Sequence, residues 1–217
     1  MTATQERKLQ ERQARRRRIQ EAARQVFAER GYAGASIEHI ARAAQLSVGA
    51  IYLYFRSKED LYVSLLEDTL AYFDGEMSRL RSRSDVADRL PEMWALLTTW
   101  SDRDAEGPRI VRLLAQPGVK EQLSPEVSTA ISAGLARVRD HLGACVADGI
   151  HAGIYRAVNA GEIADVAWAL LLGTFAANET RTNLDATNPG PMATSAGSAF
   201  AVLGAALGAP ARPVASA

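Results

Sequence analysis

The chain has 217 residues, 47% of them hydrophobic, and its 25 basic and 25 acidic side chains cancel to a formal net charge of zero. A lone cysteine, Cys145, excludes an intramolecular disulfide and fits a reducing compartment. The polar N-terminus, with no apolar stretch before Ile19, argues against a signal peptide. This length suits one small and one larger domain. The zero average hides an asymmetry, because residues 1–60 carry 12 Lys/Arg against 7 Asp/Glu and the rest of the chain reverses the excess.

Residues 1–14 read as a flexible basic arm with Arg7, Lys8 and Arg12, leading into the run Arg15, Arg16, Arg17 and Arg18. Such an arm can follow a phosphate backbone or reach a minor groove, although a solvated charge run has the same composition. Next, IQEAARQVFAERGY places Ile19, Ala22, Ala23, Val26 and Phe27 on one helical face and stops at Gly31-Tyr32. A second helix follows, with Ser36 as its N-cap and Ile37, Ile40, Ala41 and Ala44 at the spacing of one apolar face. Gln45-Leu46-Ser47 breaks the period, and Ser47 caps a third helix predicted over Val48 to Phe55.

That third helix carries few charges and two tyrosines, which suits a helix lying against something outside its domain. Val48, Gly49 and Ala50 are small enough to lead into a major groove about 12 Å wide. Tyr52 and Tyr54 lie further along, where their hydroxyls can reach phosphates, while Ile51 and Phe55 turn inward. Lys58 follows Ser57 at the next helix start, where amides and an ammonium favour a phosphate. An ordinary helical hairpin with half-buried tyrosines would share this spacing.

From Arg15 to Leu66, about a quarter of the chain, the sequence resembles the TetR family of one-component transcriptional regulators. The likeness rests on the opening helix ending at Gly31-Tyr32, then Ser36-Ile37, Ile40-Ala41, Ala44, Ser47, Gly49, Ile51-Tyr52, Tyr54-Phe55 and Ser57-Lys58-Glu59-Asp60-Leu61. Gln45 departs from it, since the family usually has glycine in the turn; a left-handed residue there carries a cost unless the turn differs. The resemblance implies a three-helix DNA-binding domain over residues 15–61. In it, Ser36 and Ser47 would contact phosphates. Val48, Gly49, Ala50 and Leu53 would face base edges, through apolar contacts such as a thymine methyl. Tyr52, Tyr54 and Lys58 would hold the backbone. With no Arg, Asn or Gln at the base-facing positions, DNA shape and the arginines are expected to supply more of the specificity.

Residues 62–208 read as a larger helical domain for ligand binding and dimerisation, which makes the whole chain all-α; no segment shows the period-2 alternation of a strand. Helices are predicted over Leu61–Leu80, Val86–Trp100 with a break near Pro91, Arg109–Leu114, Pro125 to about Tyr155, Ile163–Thr182 and Ala193–Leu207, with residues 209–217 as a disordered tail. The run VAWALLLGTFAA is apolar almost all round, the mark of a buried helix, and too short to span a bilayer. Val166, Leu170, Leu171 and Phe175, with Ala196, Phe200, Leu203 and Leu207, are expected to pack against their copies in a second subunit. Burial within a monomer is the alternative. The family resemblance implies the same homodimer, which would place two recognition helices one or more helical turns apart.

The resemblance also implies a small-molecule effector in this domain. Met93, Trp94, Leu97, Trp100, Leu113 and Leu114 are candidate apolar lining, with His141 and Cys145 as polar contacts; plain core is the competing role. His141 and Cys145 share a helix face at i,i+4, a spacing that metals and nucleophile–base pairs use. No further ligand cluster or orienting carboxylate accompanies them, so no metal, cofactor or catalytic role is expected. The expectation is a cytoplasmic homodimer without membrane association, binding double-stranded DNA at a palindromic operator as a repressor released by an unknown small, largely apolar molecule. The alternative is the same fold without an effector, acting through a protein partner or architecturally.

Overall fold

The computed structural model describes residues 3–83, 85–184 and 192–208, and every regular element among them is a helix. In chain order these are α1 (Ala3–Gly34), α2 (Ile37–Ala44), α3 (Val48–Tyr52), α4 (Lys58–Ser64), α5 (Leu66–Arg83) and α6 (Val86–Thr98), followed by α7 (Trp100–Arg103), α8 (Glu106–Leu114), α9 (Val119–Gln122), α10 (Pro125–His151), α11 (Ala160–Leu184) and α12 (Met192–Leu207). Two compact units result: Met1–Glu67 with Arg109–Ile131, and Asp68–Pro108 with the residues from Ser132 onward. The division differs from a simple cut near residue 61, because α8, α9 and the start of α10 join the first unit.

In the first unit α1 is helical from Ala3 and continuous with the arginine run, so residues 3–14 are not a flexible arm. Their Gln, Glu, Lys, Arg and Ala content favours helix, and Arg7 pairs with Glu11 one turn on at 3.5 Å. Gly31, at φ 66 and ψ 168, kinks the helix in a region essentially reserved for glycine. The kink is followed by Tyr32, whose ring centroid lies 4.7 Å from that of Tyr62 and 6.1 Å from that of Phe27. Burial and a hydrogen bond to Glu59 push the Tyr32 phenol well above its usual range. α2 buries Ile37, Ile40, Ala41 and Ala44, as its spacing predicts.

The helix predicted over Leu61–Leu80 is interrupted at Leu65, where α4 ends and α5 begins. A helix end leaves carbonyls without partners, and side chains of α1 supply them. Gln20 Nε2 donates to the Ser64 carbonyl at 3.1 Å, and Arg24 donates to the Leu65 carbonyl at 2.6 Å. Asp60 is fully buried at the start of α4. Its carboxylate accepts from the Arg56 amide at 2.9 Å and from the amide and hydroxyl of Ser124 at 2.8 and 2.9 Å. Those bonds satisfy a charge that burial would otherwise penalise, and they fasten the segment just before α10 to the first unit.

The second unit packs Leu70, Phe73 and Met77 of α5, Met93, Trp94 and Leu97 of α6, and Trp100 of α7 into its core. α6 runs through Pro91 unbroken; the interruption falls at Thr99 instead. α10 ends at His151 rather than near Tyr155, and Tyr155 folds back onto it so closely that a Cβ on Gly149 would lie 2.2 Å from the Tyr155 ring. Most of the predicted loop Asn183 to Pro191, and the tail at 209–217, fall outside the described residues.

Candidate nucleic-acid interface

The path from α2 to α3 sets the site. Gln45 takes the left-handed conformation at φ 55 and ψ 47, and the Leu46 amide donates back to the Ala41 carbonyl at 2.9 Å, closing the helix. A non-glycine residue therefore makes the turn that glycine would make more cheaply. Ser36 and Ser47 act as N-caps: Ser36 Oγ accepts from the His39 amide at 3.3 Å and Ser47 Oγ from the Ala50 amide at 3.2 Å.

α3 covers only five residues and buries Ile51 alone, so it is shorter than the predicted Val48–Phe55. Leu53 and Tyr54 belong to the turn that follows, and Phe55 is buried. The remaining surface is open. Leu53 is 76% exposed and Tyr52 52% exposed, Gly49 is exposed, and Val48, Ala50 and Tyr54 are half-buried. An exposed tyrosine thus ends an uncharged helix, and an exposed leucine follows it in the turn.

The cations divide into two groups. Arg15, Arg17 and Arg18 are exposed. Arg16 is not available in the same way: its guanidinium makes a bidentate pair with Glu67, both bonds 2.6 Å, and stacks 5.1 Å over Phe55. The Glu67 hydrogen bonds push its pKa further up. Lys58 is likewise engaged, donating to the carbonyls of Tyr32 at 3.0 Å and Ala35 at 3.2 Å and sitting 4.2 Å from the Tyr32 ring centroid. The partners that hold these two cations inward lie 51, 26 and 23 residues away along the chain, which is why a sequence reading counts both with the phosphate contacts. Arg42 and Arg56, exposed on the same unit, were not among the candidates; their surplus charge near α3 was the available signal.

The candidate ligand-lining residues separate. Met93, Trp94, Leu97, Trp100 and Cys145 are buried together in the second unit's core, whereas Leu113 and Leu114 lie on α8 in the first unit. Trp94 Nε1 donates to the Ala196 carbonyl at 3.0 Å, and the Cys145 thiol lies 3.4 Å from the Met93 sulfur. His141 Nε2 is 2.8 Å from Asp74, which Arg137 also holds at 2.9 Å, so His141 shares a partner with Arg137 rather than with Cys145.

Five residues expected at a subunit interface face inward: Leu171, Phe175, Ala196, Leu203 and Leu207 are buried within the chain, and Phe200 is half-buried against Trp94. The outward stripe of α11 and α12 is instead Val166, half-buried Leu170, Ala169, Gly173 and Ala176, with Ala201, Val202 and Ala205. α11 is long and apolar enough by composition to cross a membrane, with 22% of its most apolar stretch buried.

A short helix presented by a left-handed turn and capped by serine, with Arg18 bonded to that turn and Arg15 lining the same groove as Tyr54, forms a helix-turn-helix unit. Residues 19–65, from within α1 to the residue after α4, match the family model described as bacterial regulatory proteins, tetR family. The chain is 33% identical over 115 residues to the transcriptional repressor NicS of Pseudomonas putida, covering 53% of each protein. It is 34% identical over 73 residues to the fatty acid metabolism regulator protein of Bacillus subtilis, covering 33% of this chain and 38% of that one. The chain thus spans about half, or less, of the length of these relatives. The crystal structure of the regulator FadR from Bacillus subtilis in complex with stearoyl-CoA shares the fold, with a TM-score of 0.65 at 22% identity over 86% of this chain and 96% of that one.

Proposed function

We propose that the protein is a sequence-specific transcriptional regulator that binds double-stranded DNA as a homodimer and acts as a repressor. The observation that carries this reading is the exposed surface of α3 and the turn after it, with Gly49, Tyr52 and Leu53 open to solvent and Arg15 and Arg18 lining a groove with Leu46 and Tyr54, within a region that matches the tetR family model. Val48, Gly49, Ala50 and Leu53 meet base edges, Tyr52 and Tyr54 meet phosphates, and Arg15, Arg17 and Arg18 add backbone or minor-groove contact. The second subunit covers the outward apolar stripe of α11 and α12. That stripe's small residues let helices approach closely, and its burial in a dimer suits a soluble cytoplasmic protein better than a membrane span.

The second unit holds a small, largely apolar effector. Support comes from its aromatic core, where Trp100 lies 5.6 to 6.1 Å from Phe73, Phe175 and Trp168 with its Nε1 buried and unpartnered. The stearoyl-CoA complex of Bacillus subtilis FadR makes stearoyl-CoA a first probe. Selection from a random duplex library, followed by footprinting, tests the DNA reading: an enriched inverted repeat is expected, and a library without enrichment would sink it. Thermal shift with stearoyl-CoA and other acyl chains, read against release of the selected duplex, tests the effector. Binding with no release would favour action without a small-molecule signal.

A further inference from the structure

Lys8, Arg12 and Arg15 recur at i, i+4 and i+7 on α1, so they share one side of the helix, and Arg18 continues the row. These four cations form one wall of an open groove of about 640 Å³; Leu46 and Tyr54, which flank α3 on either side in sequence, form the other. Glu11 also lines the groove, and the Arg7 guanidinium 3.5 Å away offsets its charge. Arg18 donates to the Gln45 side chain at 3.3 Å, which ties the basic row to the turn that presents α3.

The groove is open, carries four cations against one carboxylate, and includes Tyr54, two residues after α3, in its lining. Lys8 to Arg15 spans about 10 Å at 1.5 Å per residue, enough to face about two to three phosphates of one strand, whose rise along the duplex axis is about 3.4 Å each. We propose that the N-terminal part of α1 is a second DNA contact, gripping one phosphate strand in this groove beside the segment that α3 reads. The inference rests on the DNA-binding reading and extends it: the footprint reaches past the major-groove site, and this contact carries affinity without base sequence.

The test uses the full chain and a fluorescein-labelled 30-bp duplex of alternating A·T sequence, titrated by anisotropy between 50 and 200 mM KCl. Each lost phosphate contact lowers the salt slope by about 0.9, so K8Q/R12Q/R15Q is expected to lower it by about 2 to 3 per bound chain. K8R/R12K/R15K, which keeps charge and helix, is expected to retain the wild-type slope. An unchanged slope in the glutamine variant, with its circular dichroism intact, overturns the inference. So does an equal loss of slope in both variants, or a loss confined to phosphatidylglycerol vesicles with duplex binding unaltered. The variant L53E separates the two readings. If it weakens duplex binding while the glutamine variant keeps the wild-type slope, only the groove contact is wrong. A wild-type chain that binds no duplex at any salt would refute the DNA-binding reading itself.

Discussion

Alanine at position 31 would isolate the cost of a backbone conformation from everything else. Gly31 holds φ 66 and ψ 168, yet a Cβ built there meets nothing within 4 Å. Packing therefore adds no penalty, and the strain of a residue with a Cβ in that region costs about 1–3 kcal/mol. Gly49 is a matched control. A Cβ there also meets open space, but the residue is helical within α3, so alanine gains about 0.5–1 kcal/mol. Two chemically identical substitutions on one unit should thus diverge by roughly 1.5–4 kcal/mol. Amide hydrogen exchange of Leu61 and Val63, both fully buried on α4, reads the first unit by itself. Gly31→Ala is expected to speed their exchange about 5- to 150-fold, and Gly49→Ala to slow it slightly. Equal protection in the two variants would show that the kink at Gly31 does not hold Tyr32 in place, and the backbone argument would fall.

Lys58→Met removes the donor to the Tyr32 and Ala35 carbonyls and the cation over the Tyr32 ring. It should lower stability by about 1–3 kcal/mol and leave the salt slope of duplex binding unchanged; a slope lower by about 1 without destabilisation would return Lys58 to the phosphate contacts. The His141 hydrogen bond, with Arg137 nearby, holds the Asp74 carboxyl below its usual range. Its contribution is fully present above the ordinary aspartate pKa of about 4 and fades as pH falls through the lower folded value. Urea midpoints of wild type and Asp74→Asn should therefore differ at pH 7 and converge near pH 2; a gap that widens in acid would contradict this. Burial pushes the Cys145 thiol up to about 11. Disulfide exchange with a soluble aromatic disulfide at pH 8 should track opening of the second unit, and labelling at the rate of a free thiol would place Cys145 at the surface.

Much of the head was legible because its signals are local. The spacing of Ile37, Ile40, Ala41 and Ala44 needs only the helical period, and Ser36 and Ser47 cap the amides three residues on, a distance the chain fixes by itself. The break at Gln45 was equally local, but its left-handed conformation comes from the structure. What the sequence could not show were partners far apart along the chain. Glu67 draws Arg16 inward, the carbonyls of Tyr32 and Ala35 occupy Lys58, and Ser124 meets Asp60 across 64 residues. The run VAWALLLGTFAA within α11, apolar almost all round, has no period to mark its inner side, so Leu171 and Phe175 read as well for an interface as for a core. The amino-acid order alone determined α2, the serine caps before α2 and α3 and the break between them, because each depends on residues within a turn or two. Only the tertiary structure decided which cations are drawn inward, which apolar face of α11 and α12 is left over, and that the basic N-terminal helix lines a groove with Tyr54. Charges and apolar side chains acquire such roles from whatever the fold brings against them.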